Sequence, residues 1–148
     1  MSNDAAVTKD LIQTLEDGKD GFAKGAEKLE KDGETALAGT FRDLSASRAT
    51  MSDELQKIAA AYGDQIEESG SVAAKAHRGW MTVKDALAGS DPDGVLDAAE
   101  QGEDHAVSEF EKALQSDISP EFKTVVQRQL TDVRSAHDQV KALRDARR

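Results

Sequence analysis

The chain carries 29 acidic side chains, three histidines and no cysteine. Any chemistry must therefore come from carboxylates, imidazoles, hydroxyls or a bound metal, and thiolate nucleophiles, thiolate ligands and disulfides are excluded by inventory. A di-metal site inside a helical bundle needs a Glu on each of two helices and a Glu-x-x-His on each of the other two. Two hard divalent ions require several carboxylates and imidazoles converging in a dry core. No Glu-x-x-His occurs in the sequence. The residues that could stand in for such a set are Glu16, Glu103, His105, Asp132 and His137, and iron or manganese is the ion they would take. Against them stands Arg48, at the middle of its helix, because a guanidinium cannot ligate a metal and repels one. The alternative use of the same layer is an ion-paired one. Arg48 then fills the volume a metal would occupy and pairs with Glu103, with Asp132, Asp17 and Asp20 as further acceptors, and no cofactor is expected. No nucleophile–base pair, phosphate loop or dinucleotide fingerprint is visible, so no catalytic residue is assigned.

The elements that must position these groups are helical. Aromatics and prolines are scarce, while Ala, Leu, Glu, Lys, Gln and Arg abound, and strand-like alternation is absent. From Asp4 to about Glu30, Leu11, Leu15, Gly18, Phe22, Gly25 and Leu29 recur in alternating steps of four and three, which predicts a helix with a narrow buried stripe. The glycines on that stripe imply close approach of a neighbouring helix, or else space for a small apolar ligand shared with Gly102. Gly33 marks a stop, and a second helix is predicted from Glu34 to Tyr62 with the stripe Leu37, Phe41, Leu44, Arg48, Met51, Leu55, Ile58 and Tyr62. A shorter helix over 71–88 carries His77 and the single tryptophan, Trp80, which would anchor it to the bundle. After the turn Gly89–Gly94, whose Ser90, Asp91 and Pro92 also suit a helix start, a helix runs to about Gln115 through Leu96, Ala99, Glu103, Ala106, Phe110 and Ala113. Ser119-Pro120 opens the last helix, whose stripe is Val126, Gln129, Val133, Ala136, Val140 and Leu143.

Loop lengths then suggest the topology. The first two long helices are joined by a very short turn, as are the last two, so each pair is an antiparallel hairpin. About 30 residues separate the hairpins, enough at about 1.5 Å per helical residue to run the length of the bundle and let the second and fourth helices lie parallel. The expected fold is an all-α, ferritin-like four-helix bundle occupying 1–148 as one domain, with the 71–88 helix as crossover.

The formal charge of −10 repels nucleic acid and anionic membranes. Neither is expected as a partner. The first ten residues lack the pattern of a secretory signal, and the expectation is a cytoplasmic protein.

The Ser-Gly-Ser element at 69–71, His77-Arg-Gly-Trp80, Gly102-Glu103 and Ala136-His137-Asp138 together resemble a bacterial family of four-helix-bundle proteins of unknown function, grouped with the ferritin-like superfamily. The likeness extends from Leu11 to Asp145, and its matching positions are His77, Trp80, Glu103 and His137. The resemblance implies a ferritin-like bundle associated with stress, a homodimer through helix faces or an unidentified protein partner, and no established reaction. The expected function is a non-catalytic structural or interaction module, with an iron- or manganese-binding oxidase as the alternative.

Overall fold

A computed structural model of the chain describes residues 4–61 and 91–147. Tyr62, His77, Trp80 and the expected 71–88 helix lie outside the described residues. Among those described there are four α-helices and no strand: α1 (Asp4–Lys31), α2 (Thr35–Ala59), α3 (Pro92–Gln115) and α4 (Pro120–Ala146).

Local chemistry sets the boundaries. Between α1 and α2 the backbone turns at Gly33, whose φ of 82° lies in the left-handed region that glycine enters without steric cost. The Glu34 amide donates to the Leu29 carbonyl at 2.8 Å and the Gly33 amide to the Glu30 carbonyl at 3.1 Å, which satisfies carbonyls the helix end would otherwise leave open. α3 starts at Asp91, whose carboxylate accepts from the Gly94 amide at 2.8 Å, and α4 at Ser119, whose hydroxyl accepts from the Phe122 amide at 3.3 Å. Both are followed by Pro at the first helical position, where the missing amide costs nothing.

Helix directions follow from cross-helix contacts. Ser45 on α2 donates to the Lys19 carbonyl of α1 at 2.8 Å, so the first hairpin is antiparallel. Val95 approaches Gly25 and Arg48 meets Glu103, which makes α3 antiparallel to α1 and parallel to α2. At one end of the bundle Arg147 bonds Asp93 at 2.6 Å and Glu34 at 3.3 Å. At the other, Asp4 accepts from the Ser119 amide and hydroxyl at 2.7 and 2.6 Å. The end of α2 and the start of α3 therefore sit at opposite ends of the bundle, an arrangement compatible with a ferritin-like fold.

The buried apolar side chains form two clusters. One gathers Phe22, Leu29, Phe41, Leu44, Leu96 and Val140, and the other Leu11, Leu15, Leu55, Phe110, Val126 and Val133. Close helix packing accounts for the stripe glycines of α1. A Cβ on Gly25 would lie 2.8 Å from the Phe41 ring, which is itself held edge-on against Phe22 with centroids 5.3 Å apart, and one on Gly18 would lie 3.2 Å from Arg48 Nη1. The space that a small apolar ligand would have needed beside these two glycines is filled by protein.

Gly25→Ala should be destabilising, because overpacking of about 1–3 kcal/mol outweighs the helix-propensity gain of about 1 kcal/mol. Gly39, in α2 with nothing within 4 Å of its would-be Cβ, is the control. Gly39→Ala should raise the thermal midpoint, whereas Gly25→Ala should lower it.

Candidate functional site

The stripe of α2 places Arg48 inward between Leu44 and Met51, and that of α3 places Glu103 inward between Ala99 and Ala106. Their side chains form an ion pair, Arg48 Nη2 to Glu103 Oε2, at 1% and 0% relative exposure. The guanidinium also lies 5.5 Å from the centre of the Phe22 ring, a cation–π contact, and Gly18 leaves room for its Nη1. Arg48 Nη1 and Glu103 Oε1 have no hydrogen-bond partner among the described residues. Burial pushes the Glu103 carboxyl above its ordinary range, and the Arg48 charge and hydrogen bond oppose that shift, with a smaller contribution from His137. The layer thus separates the two apolar clusters with one desolvated cation and one desolvated anion.

The other residues expected in this layer divide. Asp17 is buried on α1 and accepts from Gln13 Nε2 at 3.0 Å. Asp20 is exposed, because it lies two residues past Gly18 and hence about 200° around the helix from it. Asp132 is exposed as well, one residue short of buried Val133 and so displaced by about 100°. Nor is it level with Glu103. Equal distances from the turn between α3 and α4 do not bring two side chains level, because helical side chains lean toward their own N-terminus. In this antiparallel pair the lean moves the contact partner of each α3 residue farther along α4, so Asp104 meets His137 and Glu111 meets Arg134.

The alternative metal set does not assemble as a group. Glu16 pairs with Lys19 at 3.1 Å on α1, Asp132 faces solvent, and His105 Nε2 is buried with no hydrogen-bond partner among the described residues. His137 instead joins Glu100 and Asp104, with one ligand atom from each within 4.8 Å of the others. Glu100 and Asp104, four apart on one face of α3, do not belong to the apolar stripe and carry no motif, so sequence spacing alone does not single them out.

Two further polar features lie outside the Arg48–Glu103 layer. Gln129, fully buried on α4, donates to the Met51 carbonyl at 3.2 Å and to Glu54 Oε1 at 2.7 Å, and Glu54 also pairs with Arg128. The Arg128 hydrogen bond holds the Glu54 carboxyl below its ordinary value against a smaller effect of burial. Between α1 and α3 a cleft of about 240 Å³ is lined by Val7, Asp10, Leu11, Glu109, Lys112 and Ala113. Burial and the neighbouring Glu109 charge push Asp10 up to about 6, against a smaller opposing effect of Lys9.

The model of a family described as a domain of unknown function, DUF2383, covers residues 5–116. The chain belongs to this family. No curated protein matches it. The DUF2383 match takes in α1, α2 and α3, and with them both halves of the Arg48–Glu103 pair, while α4 lies beyond its last matched residue.

Two measurements test this part of the DUF2383 domain. Arg48→Met or Glu103→Leu alone should cost about 3–5 kcal/mol in urea denaturation, since each strands one buried charge, and the double variant should recover most of that loss. For Asp10, the folded carboxyl keeps its proton to higher pH than the unfolded chain, so its contribution to stability is present below about pH 4 and lost as pH rises to about 6. The stability of wild type relative to Asp10→Asn should therefore fall across that interval and stay level above it.

Proposed function

We propose that this chain is a non-catalytic, ferritin-like helical bundle, associated with stress, that serves as a structural or interaction module. In this reading an ion pair fills the level of the core where related architectures would hold two metal ions. The observation that carries it is the fully buried Arg48 guanidinium against Glu103, between two apolar clusters. A fixed positive charge at that level opposes any divalent cation brought near it in a medium of low polarity, and the volume is already occupied. Neither iron nor manganese is then a resident of the mid-bundle layer.

The rest of the reading rests on the sequence. The 71–88 segment serves as a helical crossover, anchored through His77 and Trp80. Two copies associate through helix faces, and the protein works in the cytoplasm. Among the described residues no helix is long and apolar enough to cross a membrane.

The test uses the purified full chain. Aerobic oxidation of added Fe(II) should proceed no faster than in buffer, and sedimentation at high micromolar concentration should show a dimer. Saturable iron oxidation by the wild type, lost on substitution of Glu103, would overturn the non-catalytic reading.

A further inference from the structure

Glu100, Asp104 and His137 form a cluster on the flank of the bundle, built wholly from α3 and α4. Glu100 and Asp104 stand one turn apart on the same face of α3, which is the spacing that lets two side chains of one helix reach a common point. His137 comes from α4, and its Nε2 lies 2.6 Å from Asp104 Oδ1. Its other nitrogen, Nδ1, lies 3.2 Å from Asp138 Oδ1. A carboxylate on the far nitrogen of an imidazole fixes the ring's tautomer and orientation, as it does behind metal-bound histidines. The cluster is graded in exposure, with the Glu100 side chain at 12%, His137 at 20% and Asp104 at 62%, so it opens to solvent on one side and rests on the core on the other. On the core side lies Glu103, whose buried Oε1 has no hydrogen-bond partner among the described residues and whose carboxylate feels the His137 charge.

A cation already sits at this point. The Arg144 guanidinium pairs with Glu100, and it has two further acceptors at hand, Asp145 at 3.2 Å and Asp97 at 3.9 Å. Arg144 can therefore release Glu100 without losing all its partners. Two carboxylates and an imidazole within 4.8 Å of one another make a donor set that favours a first-row transition ion over magnesium or calcium, since those hard ions prefer oxygen donors throughout.

We propose that Glu100, Asp104 and His137 bind one divalent transition-metal ion, which clamps α3 to α4. This site is separate from the Arg48–Glu103 layer and does not depend on that layer's function. Three protein ligands leave coordination positions open to water or to a side chain of a partner.

Zn²⁺ serves as the probe, because it is redox-silent and takes both imidazole and carboxylate donors. Calorimetric titration of the chelator-treated full chain should give one ion per chain. Asp104→Asn and His137→Asn should each weaken binding about tenfold or more, by analogy with the loss seen when groups supporting a metal site are removed. His105→Asn should bind as the wild type does, and Arg144→Gln should bind at least as tightly, since it frees Glu100. Asp104 is mostly exposed, so its replacement by Asn leaves the core intact and any loss of binding reports on the site. Wild-type affinity in the Asp104 and His137 variants, no measurable Zn²⁺ binding by the wild type, or loss of binding in the His105 variant would each overturn the proposal. Failure here leaves the mid-bundle reading standing, and iron oxidation that persists in Asp104→Asn would overturn that reading without touching this one.

Discussion

One buried charge pair dictates how this bundle can assemble. Arg48 and Glu103 are both removed from water, and an isolated ion in such a place is far too costly to leave unmatched. The two must therefore meet, which aligns the middle of α2 with the middle of α3. Everything around the pair adjusts to it. Gly18 gives up a side chain so that the guanidinium can lie against α1, Phe22 presents its ring to the same cation, and the apolar side chains separate into one cluster on either side. The pair adds little net stability over an apolar layer of the same volume, but it penalises any packing that slides one helix past the other.

Polar contacts at the two ends work in the same sense. Asp4 takes both donors of Ser119 at one end, and Arg147 joins Asp93 and Glu34 at the other. Gln129 ties α4 to α2 through Met51 and Glu54 in the half of the bundle below the charged layer. These bonds are specific in register in a way that Leu, Val and Ala contacts are not, because a hydrogen bond fails within an ångström of misplacement while apolar packing tolerates repacking. The core of this protein supplies cohesion, and its few internal polar groups choose among the packings that cohesion allows. The α3–α4 flank is the face where Glu100, Asp104 and His137 converge.

Much of the fold was legible in the residues themselves. The alternating four-and-three steps of α1, the Gly33 stop and the Asp91-Pro92 and Ser119-Pro120 starts all act within a turn or two of chain, and local chemistry is what a sequence displays directly. Arg48 and Glu103 were conspicuous for the same reason: each interrupts an otherwise apolar stripe, so each must be buried. The acceptors expected beside them were less legible. Asp20 and Asp132 lie within one or two residues of buried stripe positions, yet such a step rotates a side chain by about 100° or more, and the lean of side chains toward the helix N-terminus shifts its level as well.

The sequence by itself determined which residues could be interior, because periodicity and burial are linked by the geometry of a single helix. It also determined that Arg48 and Glu103 each interrupt an otherwise apolar stripe, and so that these two opposite charges need each other. Only the tertiary structure decided what else stands within reach. Asp104 beside His137, Glu100 under Arg144 and Gln129 against Met51 are meetings between helices, set by the stagger and approach of two elements separated in the chain. No repeating pattern along one helix carries that stagger. It emerges when the Arg48–Glu103 pair, the glycine contacts and the end bonds are satisfied together, which is why the charged layer was visible in the residues and the cluster on the α3–α4 flank was not.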